Sequence, residues 1–264
     1  MARTGLKALA ATRKAKLGHF LVEFVTPGIG HILKGAGCDF VLLDMEHSGF
    51  GFETVKSVLR YLEAADLAAI VRVPSREYHH IARACDMGAE GVMLPMVGNA
   101  AEAKRILDCM KYYPEGRRGV ALQVAHDRYR PGPVKDKLAA ANQRTTFFAQ
   151  IETAEGVENA DKIAKLPGVD CLWVGHFDLS VSLGIPGEFD HPKFHGAIDK
   201  VIAATRRHNK ALGRLVPSVE QGIDLYKSGF DFICYSADAW ILQGALGDAL
   251  GKLRAGCRKA SRSR

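Results

Sequence analysis

Long apolar runs are missing from this sequence, and so are the usual signs of a secreted protein. No run approaches the ~20 residues that a helix needs to cross a bilayer, and the mean hydropathy is −0.04. None of the six cysteines forms a C-x-x-C pair, and no apolar segment follows the basic N-terminal residues as a secretory signal requires. Free thiols in a reducing compartment explain these cysteines best. We therefore expect a cytoplasmic protein with no membrane partner.

Acidic residues are missing from both ends of the chain. Residues 1–20 carry five basic side chains and residues 252–264 carry six, and together these charges exceed the formal net charge of +7. The remaining chain is therefore slightly acidic. This favours solvated basic ends on a near-neutral domain over a nucleic-acid-binding protein, whose basic tail would carry interleaved aromatic residues. A transit peptide is another interpretation of the basic N-terminus, but serine is scarce there.

Eight short apolar runs alternate with amphipathic stretches along the chain. The runs are nearly unbroken, as in parallel strands covered on both faces; they occupy residues 20–25, 39–44, 68–73, 91–94, 147–151, 170–175, 211–216 and 231–235. The amphipathic stretches place apolar residues on one helical stripe; they occupy residues 52–65, 78–87, 99–111, 157–166, 192–208 and 218–228. Four times, a glycine ends a predicted helix shortly before an acidic residue opens a strand.

This alternation predicts one (β/α)8 TIM-barrel domain. Eight β/α units in about 240 residues fit a closed barrel better than an open sheet, and no linker divides the 264 residues. The basic segments 1–17 and 252–264 are expected at its periphery. The connection 112–146 is too long for an ordinary loop, which predicts a lid or a subunit contact.

Polar residues collect where the predicted strands end, which is where TIM barrels build their active sites. The candidates are Asp44, Glu46 and His47 after the second strand, Arg72 in the third, Gln150 and Glu152 at the end of the fifth, and Asp178 after the sixth. A buried charge costs several kcal/mol unless it is paired or liganded. Each candidate is therefore predicted to have a partner.

Glu152 and Asp178 come from neighbouring strands and are expected at one rim of the barrel. Two hard oxygen ligands with waters suit Mg²⁺ or Mn²⁺, and borderline divalent ions such as Co²⁺, Zn²⁺ or Ni²⁺ remain open. The alternative is that each carboxylate caps the helix that follows it. Without a metal the two charges would repel, and one carboxyl would be protonated.

Arg72 is the candidate for stabilising a negative charge, and His47 is the candidate for acid/base catalysis. Arg72 suits a carboxylate or an enolate oxygen, and its alternative role is a structural ion pair with Asp44. His47 suits acid/base chemistry because imidazole titrates near neutrality, and its alternative is an ordinary surface histidine. Asp86, near the end of a predicted helix, is a candidate to orient His47.

Seven short motifs occur in order along residues 15–250, and together they resemble the HpcH/HpaI aldolase family, the class II pyruvate aldolases. They are Asp44-Met-Glu46-His47, Val71-Arg72-Val-Pro74, Asp86-Met-Gly88, Met93-Leu-Pro95, Tyr113-Pro114-Glu-Gly116, Gln150-Ile-Glu152-Thr153 and Gly175-His-Phe-Asp178. The set is far more specific than any one motif.

The resemblance implies a metal-dependent retro-aldol reaction of 4-hydroxy-2-oxo acids with pyruvate as the enolate partner. In this family Glu152 and Asp178 would bind the metal, Arg72 would touch the pyruvate oxygen, and His47 would serve acid/base chemistry with support from Asp44 and Asp86. Gln150 and Leu215 would line the pocket, and backbone amides of the loop 175–178 would hold the carboxylate. The resemblance also implies a homohexamer, a trimer of dimers, in which the apolar helix 239–250 is exchanged between subunits.

The loop after the sixth strand departs from the family pattern. The family reads Gly-Pro-Ala-Asp or close to it, whereas this chain reads Gly175-His176-Phe177-Asp178. The aspartate is kept, but Phe177 is much larger than alanine and His176 adds a titratable group. These changes bear on the choice of aldehyde or of 2-oxo acid. Glu23 is also unusual, since an apolar residue is common at its position.

Several functions share this scaffold. The leading interpretation is an aldolase whose partners are pyruvate, or another 2-oxo acid, and an aldehyde. An oxaloacetate decarboxylase would use the same metal enolate. A citrate-lyase-β-like CoA ester lyase would need a basic groove for the nucleotide, and none is obvious near the strand ends. A nucleic-acid-binding protein is the non-enzymatic alternative.

Overall fold

Eight parallel strands close into a barrel in the order of the chain, and β8 pairs with β1. The predicted (β/α)8 TIM barrel is therefore confirmed. The computed structural model describes residues 4–262. The strands are β1 (Lys16–Leu21), β2 (Phe40–Asp44), β3 (Ala68–Arg72), β4 (Gly91–Leu94), β5 (Thr146–Ile151), β6 (Val169–Val174), β7 (Ala211–Val216) and β8 (Phe232–Ala237).

Helices surround the barrel, and most of them cover the outer face of the strands. They are α1 (Leu6–Ala10), α2 (Ile29–Gly35), α3 (Phe52–Ala64), α4 (Tyr78–Asp86), α5 (Ala100–Met110), α6 (Val134–Arg144), α7 (Ala154–Glu158), α8 (Ala160–Lys165), α9 (His176–Ser182), α10 (Pro192–Arg207), α11 (Val219–Ser228) and α12 (Asp238–Arg262), with a 3-10 turn at Ala125–Asp127. Among residues 4–262, no helix is both long enough and apolar enough to cross a membrane.

Aromatic side chains fill the barrel interior. Phe40, Phe148, Trp173 and Phe232 meet edge to face, with ring centroids 5.1–6.4 Å apart. Gly18 makes room for them, because a Cβ at this position would lie 2.4 Å from the Phe40 ring. The interior is thus a packed core, and space for a ligand is left at the ends of the strands.

The described part of the N-terminal segment makes contacts with the barrel. Leu6 in α1 is fully buried, and its amide donates to Glu90 Oε2 at 3.0 Å. Lys16 and Arg13 bind the carboxylate of Asp231 at 3.3 and 2.8 Å. Because Asp231 is 2 % exposed, these two basic residues neutralise a buried charge. Some of the basic residues near the N-terminus therefore stabilise the fold.

Two predicted boundaries are wrong. The first strand is Lys16–Leu21 and not 20–25, because the amides of Val22, Glu23 and Phe24 donate to the side chain of Asp238 and leave the sheet. The predicted helix 157–166 is divided into α7 and α8 at Asn159, whose side chain donates to the carbonyls of Gly98 and Glu155.

The connection 112–146 is not a bare loop, since it contains the 3-10 turn and α6. Lys111 anchors the end of α6, because its Nζ donates to the carbonyls of Asn142 and Thr145 at 2.5 and 2.7 Å. A role for this segment as a lid or a subunit contact stays a prediction.

The C-terminal helix α12 begins against the barrel and then leaves it. Asp238 is buried, whereas every described side chain from Ile241 onward is exposed. The apolar members of this exposed part are Ile241, Leu242, Leu246, Leu250 and Leu253. The segment 239–250, which we predicted to be exchanged between subunits, therefore has an unpartnered apolar surface in the single chain.

Candidate active site

A cavity of about 390 Å³ opens at the C-terminal ends of the barrel strands. Nine of the predicted site residues line it: Asp44, His47, Arg72, Gln150, Gly175, His176, Phe177, Asp178 and Leu215. Glu152 lies directly behind Gln150, to which it is hydrogen-bonded. The structure thus brings together all of the predicted site residues except Asp86.

Arg72 is held at the cavity wall by two carboxylates. Its Nε and Nη2 donate to the two oxygens of Asp44 at 2.8 and 2.9 Å, and its Nη1 lies 3.2 Å from Glu46 Oε2. Asp44 is fully buried and also accepts the amides of Glu46 and His47. The ion pair that we considered as the alternative role of Arg72 therefore exists, and it fixes the orientation of a guanidinium that also lines the cavity.

Glu152 occupies a buried position between two donors. It is 2 % exposed, and its carboxylate accepts the amide of Met96 at 2.6 Å and Gln150 Nε2 at 2.5 Å. Burial raises the pKa of Glu152 to about 7 against these two hydrogen bonds, and the nearby charges of Glu46 and Asp178 add to the rise. A cation at this wall would offset the repulsion among the three carboxylates.

Gly175 allows the loop after β6 to approach β5 closely. A Cβ on Gly175 would lie 2.1 Å from Glu152 Oε2 and 2.9 Å from Gln150 Nε2, so only glycine fits here. The Gly175 amide donates to the Ile151 carbonyl at 3.2 Å. The amide of Gly175 is therefore already used by the backbone, and the amides that remain for a substrate carboxylate are those at the start of α9.

His176 and Phe177 occupy very different surroundings although they are neighbours. His176 is 7 % exposed, whereas Phe177 is 60 % exposed. Burial, with the positive charge of Arg214, lowers the pKa of His176 to about 3, so its ring is neutral at physiological pH. The two rings are tilted by 36° against each other, with their centroids 4.5 Å apart. Phe177 thus brings an apolar surface to the mouth of the cavity, where the family pattern has a small residue.

His47 lies at the open side of the cavity. Its side chain is 64 % exposed, and Nε2 lies 3.8 Å from Glu46 Oε2. This position gives a proton access to both the cavity and solvent, which acid/base chemistry requires.

Asp86 does not reach His47 within the chain. It lines a different cavity, between α3, α4 and the 3-10 turn, and its Oδ1 lies 3.3 Å from Arg118 Nη2. Burial raises the pKa of Asp86 despite this partner. Its proposed support of His47 therefore has no basis in the contacts of a single chain, because α4 ends on the outside of the barrel and not at the rim.

Six apolar residues of the cavity were not predicted as site residues from the sequence: Phe20, Val22, Leu42, Trp173, Val174 and Trp240. Trp240 meets Phe20 edge to face at 6.5 Å. Trp173 could have been inferred from the alternation of inward residues along β6. Trp240 could not, because its place follows from where α12 crosses the end of β1. Glu23, in contrast, does not line the cavity and its side chain is exposed.

The arrangement suits a divalent ion bound by carboxylates. No three His, Cys, Asp or Glu side chains converge as metal ligands within residues 4–262, so Glu152 and Asp178 would leave further coordination positions to water or substrate. The Oε1 atom of Gln150 beside them is buried and has no hydrogen-bond partner. The site thus combines two carboxylates that repel each other with a buried amide oxygen that lacks a donor among the described residues. This combination fits a cation that prefers oxygen ligands, such as Mg²⁺ or Mn²⁺.

Comparisons with known proteins agree with this geometry. The family model "HpcH/HpaI aldolase/citrate lyase" matches residues 20–242. A hydroxypyruvate/pyruvate aldolase of Chromohalobacter salexigens is 33 % identical over 88 % of this chain and 91 % of its own length. A 5-keto-4-deoxy-D-glucarate aldolase of Citrobacter koseri is 33 % identical over 93 % and 96 %. The crystal structure of an HpcH/HpaI aldolase from Desulfitobacterium hafniense superposes with a TM-score of 0.89 at 29 % identity, covering 95 % of this chain and 96 % of that one.

Proposed function

The chain belongs to the HpcH/HpaI aldolase/citrate lyase family, and from this we propose that it is a divalent-metal-dependent aldolase. Its substrates are 4-hydroxy-2-oxo acids, which it cleaves to pyruvate and an aldehyde or forms in the reverse direction. The observation that carries the proposal is the convergence of Asp178 and Arg72 at one cavity, with Glu152 directly behind Gln150 in its wall. Among residues 4–262, no lysine lines this cavity. A Schiff-base aldolase would need such a lysine.

Glu152 and Asp178 are the residues that would hold the metal. A divalent ion bound there supplies a Lewis acid for the C2 oxygen of the 2-oxo acid. Gln150 supports this task, because its Nε2 donates to one oxygen of Glu152, and its Oε1 is buried without a hydrogen-bond partner among residues 4–262. The raised pKa of Glu152 means that burial and the neighbouring carboxylates destabilise its ionised form. A bound cation would offset this destabilisation.

Arg72 stabilises the negative charge that develops on the C2 oxygen. Its guanidinium is already oriented by Asp44, so little reorganisation is needed when charge moves from carbon to oxygen. The unbonded amides of His176, Phe177 and Asp178, at the start of α9, hold the substrate carboxylate. His47 moves the proton at the C4 oxygen, the oxygen that becomes the aldehyde.

The acceptor side of the cavity is apolar. Phe177, Trp240 and Leu215 all line it, and none of them offers a charge to an aldehyde. Phe177 also narrows the mouth where the family has alanine. We therefore infer that the aldehyde carries an apolar substituent near its carbonyl, and that acceptors with a second carboxylate are disfavoured.

The proposal is tested by measuring pyruvate release from a panel of 4-hydroxy-2-oxo acids with EDTA and with metal add-back. We expect EDTA to abolish release and Mg²⁺, Mn²⁺ or Co²⁺ to restore it. Glu152→Gln should lose at least about 10²-fold in kcat, whereas Glu188→Gln, an exposed acid outside the cavity, should behave as the unmodified chain. Full activity in EDTA, or a lysine adduct trapped by borohydride, would refute the mechanism.

We also propose that the chain works as a homohexamer in the cytoplasm. The exposed stripe Leu242, Leu246, Leu250 and Leu253 on α12 supports an exchanged helix, because monomers rarely expose contiguous apolar patches of this kind. The six free cysteines support a reducing compartment. Analytical ultracentrifugation checks the first part, and a monomer at micromolar concentration would contradict it.

A further inference from the structure

Arg214 is a buried cation that has no anionic partner among residues 4–262. It is 8 % exposed, its Nε is buried without an acceptor, and it makes no hydrogen bond or ion pair within residues 4–262. Two other arginines with little exposure differ, since the half-buried Arg72 binds Asp44 and the buried Arg118 binds the Met110 carbonyl and the Tyr112 hydroxyl. A buried charge left unpaired is costly, so the isolation of Arg214 calls for an explanation.

Strand register places this guanidinium outside the barrel. Gly213 faces inward, because a Cβ there would meet the Trp173 ring at 2.3 Å, and Leu215 lines the active-site cavity. Arg214, between them on β7, therefore points to the opposite face of the strand. It packs against Phe194 of α10 and against Phe189, with Cζ 5.7 and 6.0 Å from the two ring centroids.

Arg214 lines a second cavity, of about 590 Å³, between β7, α10 and α11. The apolar part of its wall comes from Phe189, Phe194, Ile198, Ile202, Leu225 and Phe230. This cavity shares no lining residue with the active-site cavity. It offers one buried cation and an apolar surface, which is the combination that binds an organic anion.

The remaining charges restrict the anion. Asp190, Asp199 and Asp224 also line the cavity, but none of them forms an ion pair with Arg214. Asp190 and Asp199 are exposed, and Asp224 binds Lys227 at 3.0 Å. Three carboxylates near the opening disfavour a doubly charged ligand such as phosphate. Arg206 is the other cation of the wall, and its Nη2 already donates to the Ser228 carbonyl.

We propose that this cavity is a binding site for a monocarboxylate with an apolar body, separate from the active site. The carboxylate pairs with the Arg214 guanidinium, whose planar fork matches two carboxylate oxygens. The apolar body lies against Phe189 and Phe194. Burial lowers the pKa of Arg214 to about 10, so the guanidinium stays charged at neutral pH and available to this ligand.

The test uses sodium benzoate as the probe, with thermal melting and calorimetry in a buffer of low anion content. We expect benzoate to raise the Tm of the full chain in a saturable manner, with a Kd tighter than about 10 mM. Arg214→Leu should lose this shift. Arg207→Leu serves as the control, because Arg207 lies at the end of α10, which forms one wall of the cavity, but it pairs with Asp161 at 2.6 Å and does not line the cavity. This variant should keep the shift.

Arg214→Lys keeps the charge and loses the planar fork, so it should bind benzoate at least about tenfold more weakly; it also serves if Arg214→Leu does not fold. Inorganic phosphate should give a smaller shift than benzoate. The proposal is overturned if benzoate gives no shift, if Arg214→Leu keeps the full shift, as binding in the active site would produce, or if phosphate binds more tightly. None of these results depends on whether the aldolase activity is found.

Discussion

Replacing Arg72 by methionine tests whether this residue is structural, catalytic or both. The substitution leaves Asp44 buried without its cation, and breaking a buried ion pair costs about 3–5 kcal/mol. Asp44 keeps the amides of Glu46 and His47 as donors, so we expect the lower end, about 3 kcal/mol. For a domain of this size each kcal/mol shifts the Tm by roughly 2–4 °C, which predicts a drop of roughly 6–12 °C.

The catalytic role predicts a separate loss. Removing one donor from a developing oxyanion costs about 2.7–4 kcal/mol, which is a factor of about 10²–10³ in kcat. The double variant Asp44→Asn, Arg72→Met removes both charges, so it should recover much of the lost Tm and none of the lost turnover. Arg72→Lys should recover part of the rate, since it keeps the charge without the fork.

Turnover, inhibition by pyruvate and Tm are measured on the same preparations. Arg105→Met is the control, because Arg105 on α5 is exposed and its side chain makes no hydrogen bond or ion pair within residues 4–262, and surface substitutions of this kind usually change the stability by less than about 0.5 kcal/mol. A stable Arg72→Met variant with near-normal turnover would remove Arg72 from both roles. A double variant that is no more stable than the single one would refute the argument from the buried charge.

Three further predictions concern Gly175, His47 and Lys111. Gly175→Ala forces the Glu152 carboxylate aside, so the concentration of Mn²⁺ that gives half-maximal activity should rise about tenfold or more. The added Cβ also overpacks a buried site, which costs about 1–3 kcal/mol and lowers the Tm; unchanged metal dependence would contradict the prediction. His47→Ala should lower kcat for aldol cleavage by a factor of about 10²–10⁴, while exchange of the pyruvate methyl protons with solvent survives in part. An equal loss of cleavage and exchange would instead make His47 the base for enolisation. Burial lowers the pKa of Lys111 to about 8 from 10.5. Between those pH values the unfolded state therefore binds more protons than the folded state. As a result, the contribution of Lys111 to the free energy of unfolding rises with pH. That rise is on the order of 3 kcal/mol, and denaturant titrations from pH 8 to 10.5 should show it in the chain but not in Lys111→Met.

The barrel could be predicted from the sequence because nearly all strand residues are buried, with Leu17 and Tyr235 as the exposed exceptions. Such strands read as continuous apolar runs, and seven of the eight were located within two residues at each end. The exception is β1, whose C-terminal boundary depends on Asp238, a residue more than 200 positions away. A local pattern cannot reveal that competition for backbone amides.

The candidate site was predictable for a different reason. Parallel strands bring their carboxyl ends to one rim, so charged residues at those ends converge even without knowledge of side-chain geometry. Asp86 fails this rule because it ends a helix and not a strand, and its partner Arg118 comes from the long connection. The role proposed for Arg214 could not be predicted from the sequence. It depends on the lack of an anionic partner among residues 4–262, which only the structure reveals.

The pairing of β1 with β8 has a consequence for the order of events during synthesis. Lys16 pairs in register with Phe232, and its ammonium meets Asp231, so the first strand finds one of its two neighbours only after nearly the whole chain has left the ribosome. Until then one edge of β1 stays open, and open strand edges are sites of aberrant pairing. Closure of so distant a contact is also slow. We therefore expect a nascent chain that ends before β8 to depend on chaperones far more than the finished barrel does.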